Sequence, residues 1–445
     1  MTKRKWILVS PKRGITLSDS IPKKELIKTY AACQWWLGKS WLNDKQGKHP
    51  MQYLWREEGW ASDVELFLIG SAILSLRKQG HKRKDFEGKR IEFLGKHVAN
   101  HEGYLFELLV STLFSEANSQ VKLLPPSAKC YDLDIITSTD VEIQASCKVC
   151  LPSDEHNSFK EYAEIIEGLF TKAQAILNVT GWDLYLQVNN ISEFPSANQI
   201  QYMLKVTMHN LFTKNKQVTL QCQGNIYEFR HRLPSIAGTL GYSKNIISYN
   251  FFAYHSIDTE KEYKRIYNII KKANKKFKDI TISNKQNIIV IKIPRYISIE
   301  KIGKYFLKKF EHNFTSTSGI IFIQTHIVHS LEDENVILNT AFQAIYNPNG
   351  QYKWDTKEAI NLVLPIGQVS GYSPKLVLGN KEFNTELNNE SYTLHKCVES
   401  YFVKDGYEAK GTSIPGVRRI YQYVMNDRDN LTLEMPSIPF DFKLI

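Results

Sequence analysis

The stretch YDLDIITSTDVEIQASCK, residues 131–148, constrains the fold more than any other part of the chain. Two runs that alternate polar and apolar residues flank a short polar turn, which predicts an antiparallel β-hairpin. Oxygen-bearing side chains occupy even positions: Asp132, Asp134, Glu142 and Gln144. Apolar side chains occupy odd positions: Leu133, Ile135, Val141 and Ile143. Because side chains alternate along a strand, one face of the hairpin is expected to pack on a core and the other to gather acceptors.

The segments around the hairpin predict an α/β (α+β) fold with a mixed central sheet and flanking helices. A helix over residues 102–117 and a strand over 120–124 are predicted before the hairpin. An amphipathic helix over 159–177 and a strand over 182–188 are predicted after it. A strand that passes through a helix to a parallel strand makes a right-handed crossover, so the order α-β-β-β-α-β indicates a mixed sheet.

The crossover helix can also be placed elsewhere in the sequence. In this second arrangement a helix over 260–277 and a strand over 287–293 return the chain to the sheet. Residues 151–257 are then an insertion within a larger domain. Both arrangements keep the same hairpin and the same carboxylates at the centre of the fold.

A chain of 445 residues is too long for one ordinary hydrophobic core, so several domains are expected. Apolar residues at helical spacing predict a helical N-terminal domain over residues 1–98. The α/β pattern extends over 99–345, with its core in 99–190. Residues 346–445 are rich in turn residues and short strand-like runs, which predicts a β-rich C-terminal region.

The formal net charge of +11 favours a polyanionic partner, and DNA is the default candidate, with RNA left open. Basic residues are concentrated over 77–96 and, more strongly, over 261–309. These two stretches are expected to contact backbone phosphates.

Six cysteines are too few for a disulfide framework in a chain of this size, which favours a reducing cytoplasm. The first residues lack the apolar run of a signal peptide. The longest apolar run, residues 66–74, is far shorter than the ~20 residues that cross a bilayer, so no membrane association is expected.

The acceptors of the hairpin match the needs of phosphodiester hydrolysis. That reaction requires a hydroxide near neutral pH and positive charge beside the phosphorus, and Mg²⁺ or Mn²⁺ held by carboxylates supplies both. Asp132 or Asp134, together with Glu142, could hold such an ion. Gln144 can orient a water but carries no charge. Lys148 lies on the same strand face if the strand continues, where its cation could steady an attacking hydroxide.

These residues resemble the PD-(D/E)xK, or restriction-endonuclease-like, nuclease superfamily over about residues 100–190. The matching segments are Gly103-x-x-Phe106-Glu107, Tyr131-Asp132-Leu133 and Val141-Glu142-Ile143-Gln144. The resemblance implies that Glu107, Asp132 and Glu142 hold one or two Mg²⁺ ions and that a lysine assists the nucleophile.

The chain departs from that superfamily pattern at two positions. Gln144 stands where the pattern has the lysine of ExK, and Tyr131 stands in place of the proline. Two choices also stay open, because Asp134 is an alternative to Asp132 and Glu102 an alternative to Glu107.

The resemblance implies a metal-dependent endonuclease that hydrolyses DNA phosphodiester bonds, in restriction or phage defence. Such an enzyme would act as a homodimer or with a partner protein of a defence system. The glutamine at position 144 supports an alternative, a catalytically inactive protein of nuclease fold that binds nucleic acid or acts as a scaffold.

Overall fold

A computed structural model describes the chain in a set of ranges. These are residues 23–56, 60–94, 99–125, 131–179, 181–211, 217–231, 249–278, 285–310, 313–329, 336–350, 361–363, 368–370, 376–377, 386–387, 391–398, 402–404, 407–409, 421–425 and 429–433. Within them the chain is a mixed α/β protein.

Ten helices lie in the described ranges. They are α1 (Lys23–Leu37), α2 (Lys39–Leu42), α3 (Pro50–Arg56), α4 (Trp60–Lys78), α5 (Arg83–Leu94), α6 (Ala99–Glu116), α7 (Asp154–Leu177), α8 (Ala197–Leu211), α9 (Thr259–Lys278) and α10 (Ile299–Phe310). α1 and α2 are separated by Gly38, whose φ of 95° is open to glycine and strained for other residues. α7 begins at Asp154 because the Ser153 hydroxyl caps it by accepting the His156 N–H. This start is earlier than residue 159, where the apolar periodicity predicts that the helix begins.

Eighteen strands lie in the described ranges. They are β1 (Gln120–Leu123), β2 (Leu133–Ile136), β3 (Glu142–Val149), β4 (Trp182–Gln187), β5 (Gln217–Cys222), β6 (Asn225–His231), β7 (Tyr249–Ser256), β8 (Gln286–Lys292), β9 (Gly319–His329), β10 (Val336–Tyr346), β11 (Gln368–Ser370), β12 (Leu376–Val377), β13 (Glu386–Leu387), β14 (Ser391–Val398), β15 (Phe402–Lys404), β16 (Tyr407–Ala409), β17 (Tyr421–Met425) and β18 (Asp429–Leu433).

The larger sheet has seven strands in the order β1-β2-β3-β8-β9-β10-β11. β1, β2 and β3 are successively antiparallel, as the hairpin pattern predicts. β3, β8 and β9 are mutually parallel, and β10 is antiparallel to β9. β8 is buried along almost its whole length, as expected for a parallel strand with helices on both faces.

The strand beside β3 is β8, so the structure has the crossover of the second arrangement. β4 lies instead in a second mixed sheet of five strands, in the order β14-β7-β4-β6-β5. Residues 151–257 supply α7, α8 and four strands of that sheet. β11 and β14 belong to the predicted β-rich region 346–445, and they join the larger and the smaller sheet respectively.

Two hydrophobic clusters cover opposite faces of the larger sheet. The first joins α1 to α6 with the face of β3 that carries Ile143, Ala145 and Cys147. The second lies on the other face, where Ile289 and Ile291 of β8 pack with α7 to α10 and with one face of the smaller sheet. In the described part of the chain no helix is long and apolar enough to cross a membrane.

Candidate functional site

The pairing of β2 with β3 decides which polar residues of the hairpin meet. Asp134 lies opposite Gln144, and Ile136 lies opposite Glu142. Asp132 is one residue before β2, where its N–H donates to the Ala145 carbonyl at 2.9 Å. Asp132 therefore lies beside residues 146–148 of β3. At about 3.3 Å per residue, Glu142 is roughly 13 Å further back along that strand.

Asp132 places its carboxylate beside the end of β3 that extends past β2. Its Oδ2 atom accepts the Cys147 N–H at 2.8 Å, the Ser146 hydroxyl at 3.2 Å and the Lys148 Nζ at 3.0 Å. Lys148 Nζ also donates to the Cys147 carbonyl at 2.6 Å. Because β2 begins only at Leu133, the side chain of Asp132 takes the place of a backbone acceptor for β3. Both members of the Asp132–Lys148 pair keep about a fifth of their side-chain surface exposed.

Glu107 approaches this end of the strand from α6, which packs over β3. Its carboxylate forms an ion pair with Lys89 of α5, and both side chains are at most 10% exposed. Burial raises the pKa of Glu107 to about 7, Lys89 and Lys148 oppose that rise, and Asp132 adds to it. Glu107, Asp132, Lys89 and Lys148 therefore act on one another electrostatically, and they are called here the Asp132 cluster.

Lys89 is the member of the Asp132 cluster that sequence reasoning missed. In the sequence it belongs to the basic stretch 77–96, whose residues are expected to contact phosphates. Its spacing could have distinguished Lys89 from the exposed basic residues of that stretch. Phe86, Lys89 and Phe93 lie at intervals of three and four residues, which places them on one helix face, and they are the buried positions of α5.

Glu102, the alternative to Glu107, has a different partner. Its carboxylate lies 4.0 Å from Lys292 Nζ at the end of β8. Burial raises the pKa of Glu102, and Lys292 opposes the rise. The charge of Asp132 contributes to the raised pKa of Glu107. Glu107 is therefore the α6 carboxylate that interacts electrostatically with Asp132.

The other predicted site residues form a separate group further back along the hairpin. Lys285 Nζ lies 2.9 Å from Glu142 Oε2 and 3.8 Å from Asp134 Oδ1. Gln144 donates through Nε2 to the Tyr131 hydroxyl at 2.9 Å. The structure thus pairs Asp132 with Lys148, whose charges act on Glu107, while Asp134, Glu142 and Gln144 lie with Lys285 and Tyr131.

The oxygen donors at the end of β3 suit a hard divalent cation. Asp132 Oδ2 and the Cys147 carbonyl both accept from Lys148 Nζ, and the charge of Asp132 acts on Glu107. Mg²⁺ is commonly held by one or two carboxylates with waters and substrate phosphates. In the described ranges no three His, Cys, Asp or Glu side chains are grouped to hold a metal ion. The chemistry of these oxygen atoms fits Mg²⁺ or Mn²⁺, although the described residues form no group of three such side chains.

Cys147 is unsuited to nucleophilic chemistry at this end of β3. Burial raises the pKa of its thiol well above the ordinary value, and the charges of Asp132 and Glu107 raise it further. The thiol therefore stays protonated at neutral pH, and the reactive groups of the cluster are its carboxylates and ammonium groups.

No family model matches the chain, and neither the curated proteins nor the solved structures contain a match. The geometry around Asp132 is therefore the basis for assigning a function.

Proposed function

We propose that the protein is a metal-dependent endonuclease of restriction-endonuclease-like fold that hydrolyses phosphodiester bonds of DNA at the Asp132 cluster. The observation that carries this proposal is the partly exposed Asp132–Lys148 pair, 3.0 Å between Oδ2 and Nζ, whose charges both act on the buried Glu107. Mg²⁺ or Mn²⁺ bound by Glu107, Asp132 and the Cys147 carbonyl would supply positive charge and an acidified water.

The register of the hairpin supports a different alignment with the superfamily pattern. The Ser146 hydroxyl donates to Asp132 Oδ2, and Lys148 follows two residues later. The spacing of the (D/E)xK element is thus met by Ser146-Cys147-Lys148, in which the lysine is present and a serine replaces the first acid. The element order also supports the proposal, because α6, β1 to β3, α9 and β8 occur in this order, with residues 151–257 inserted between β3 and α9, and β3 is parallel to β8.

The residues of the Asp132 cluster have distinct roles in this proposal. Lys148 places a fixed cation beside the reacting phosphate, where it stabilises negative charge that develops in the transition state. Asp132 is held by three donors, so its carboxylate is oriented before substrate binds. Burial brings the pKa of Glu107 to about 7, which lets this group exchange a proton near neutral pH.

Plasmid nicking in the presence of Mg²⁺ or Mn²⁺ tests the proposal. Asp132→Asn and Lys148→Met should each lower the cleavage rate by roughly 100-fold or more, the usual loss when a group that stabilises a transition state is removed. Glu142→Gln is the matched control, since Glu142 lies on the same hairpin but pairs with Lys285. Full loss in Glu142→Gln with full activity in Asp132→Asn would place the reaction at the Lys285 group instead.

One observation favours the second candidate, a non-catalytic nucleic-acid-binding protein of nuclease fold. Lys89 neutralises Glu107 in the interior, and Ser146 supplies a hydroxyl where the superfamily pattern has a second strand carboxylate. In that case wild-type protein binds duplex DNA but cuts none. Calorimetric titration with Mn²⁺, with and without duplex, would then detect no millimolar-range binding.

A further inference from the structure

α9 and α10 lie side by side over one face of the larger sheet. Their apolar residues are buried in the second hydrophobic cluster, including Ile266 and Ile270 of α9 and Phe306 of α10. Aromatic rings join the first half of α9 to the second half of α10, with ring centroids 5.3 Å apart for Tyr263–Tyr305 and 6.2 Å apart for Tyr267–Phe306. The outward side chains of the two helices are therefore neighbours where these rings meet.

That outer surface carries lysine almost throughout. Its exposed lysines are Lys261, Lys264, Lys271, Lys272, Lys275 and Lys276 on α9 and Lys301, Lys304 and Lys308 on α10. They are called here the lysine face. The exposed carboxylates on the same two helices are Glu260 and Glu300. Lys304 pairs with Glu300, and Lys261 pairs with Glu155 of α7. The face is thus strongly positive, and much of its charge extends along the later turns of α9.

We propose that the lysine face binds the phosphate backbone of duplex nucleic acid, and this inference rests on the proposed function for the identity of the ligand. Lys264 and Lys276 are twelve positions apart, which spans about 18 Å at 1.5 Å per helical residue. Duplex DNA carries one negative charge per ~1.7 Å of axis, so a backbone along α9 can meet several of these lysines at once.

The apolar residues of both helices argue against an anionic membrane as the ligand. An amphipathic helix that binds a membrane inserts its apolar face, but here those faces are buried against the sheet. In the described parts of α9 and α10, Leu307 is the large apolar side chain that is substantially exposed. Within these described parts, the exposed surface of the two helices is therefore charged and has no apolar patch that could insert into a membrane. Such a surface is suited to binding solvated phosphate groups.

The lysine face begins close to the catalytic strand. Arg265, in the second turn of α9, donates to the Leu151 carbonyl, and Leu151 lies three residues beyond Lys148. A duplex that follows α9 is thus led towards the carboxyl end of β3. The basic stretch 77–96 contributes less than its sequence suggests, because Lys89 is buried with Glu107, Arg90 pairs with Glu87 and Arg77 stacks on Trp35.

The test compares two variants with the same change in charge. One replaces Lys271, Lys272, Lys275 and Lys276 of the lysine face with glutamine, which keeps helix propensity. The control replaces four exposed lysines elsewhere with glutamine: Lys122, Lys160, Lys172 and Lys205. Binding to a 30-base-pair fluorescent duplex is measured by anisotropy in EDTA, so that no cleavage occurs, and circular dichroism confirms folding of both variants.

The lysine-face variant should bind the duplex at least tenfold more weakly near 0.1 M salt. The slope of log affinity against log salt should fall by about 0.9 for each phosphate that the variant no longer neutralises. The control variant should retain wild-type affinity and slope. Equal weakening in both variants, or in neither, would overturn the inference, as would stronger lysine-dependent binding to phosphatidylserine vesicles than to duplex.

The outcomes also separate this inference from the proposed function. If Asp132→Asn abolishes cleavage and the lysine-face variant binds duplex with wild-type affinity, the inference about the binding surface is overturned and the proposed function is not. Duplex binding that depends on the lysine face, in a wild-type protein that cuts no DNA with Mg²⁺ or Mn²⁺, supports the surface and overturns the nuclease.

Discussion

Replacing Lys89 with methionine removes the buried cation that accompanies Glu107 while keeping an unbranched side chain of similar length. Both partners are at most 10% exposed, so solvent screens the pair little. Lys89 opposes the rise in the pKa of Glu107, so its loss moves that pKa further above about 7. The variant should therefore hold Glu107 protonated to higher pH than the wild type does.

The size of the effect follows from linkage between protonation and folding. In the wild type the pKa of Glu107 is raised from 4.5 to about 7, so the folded state binds this proton more tightly than the unfolded state. The associated stability is present in full below pH 4.5 and is lost as pH rises through 7, about 3 kcal/mol in all at ~1.4 kcal/mol per pH unit. In Lys89→Met the pKa of Glu107 is higher, so this loss continues above pH 7, at up to ~1.4 kcal/mol for each further pH unit until the variant's pKa is passed.

Urea unfolding followed by tryptophan fluorescence measures this effect, because Trp36 and Trp55 lie in the same hydrophobic cluster as α6. The difference in unfolding midpoint between wild type and Lys89→Met should be small at pH 6 and should widen steadily up to pH 8.5. Lys160→Met, an exposed lysine of α7, should show no such trend. In a Glu107→Gln background the difference in midpoint that Lys89→Met causes should be the same at pH 6 and pH 8.5, because the titrating group is absent. A midpoint difference that is the same at pH 6 and pH 8.5 would refute the assignment of a raised pKa to Glu107.

Two further predictions concern the packing that supports the sheets. Gly70→Ala places a Cβ where it overlaps the Thr29 carbonyl, so it should lower stability by about 1–3 kcal/mol through overpacking of α4 against α1. Gly168→Ala is the control, because the space around Gly168 is open. It should be neutral or slightly stabilising in the same thermal unfolding assay. Asn225 accepts the N–H groups of Asn189 and Asn190 and donates to Tyr162, so Asn225→Leu should destabilise by several kcal/mol, at about 1–3 kcal/mol for each buried group left unpaired. A thermal midpoint within a degree of wild type in Asn225→Leu would contradict this account.

Periodicity in the sequence was sufficient to predict several of the helices and strands and the apolar face of the hairpin. The predicted helix over 102–117 is α6, the strand over 287–293 is β8, and Leu133, Ile135 and Ile143 are buried as predicted. Periodicity is a local signal, and for this reason it could not decide which strand lies beside β3. That pairing joins Ile143 to Gln286 across a long separation in the chain, and only the packing of the whole domain selects it.

The residue opposite Asp132 could not be predicted, because it depends on one backbone conformation in the turn. The Thr137 N–H donates to the Val141 carbonyl at 3.0 Å, which leaves three residues in the loop. Asp140 closes that loop at a φ of 62°, a left-handed conformation that aspartate tolerates better than most residues. The sequence TSTD offers several turns of similar length, and each would place a different residue opposite Asp132.

The register changes which substitution matters most for catalysis. If the superfamily pattern is placed by sequence alone, Gln144 removes the lysine, and the missing cation is the reason to doubt activity. In the structure Lys148 supplies a cation at 3.0 Å from Asp132, and the missing group is a carboxylate at Ser146. With both acids ionised, Glu107 and Asp132 are balanced by Lys89 and Lys148, so the cluster has little net negative charge to attract a divalent cation alone. A nucleic-acid phosphate that arrives with the cation would restore that attraction, since Mg²⁺ is commonly shared between protein carboxylates and substrate phosphates. Under the proposed function, the charge balance would favour joint binding of metal and nucleic acid over a metal site formed in advance.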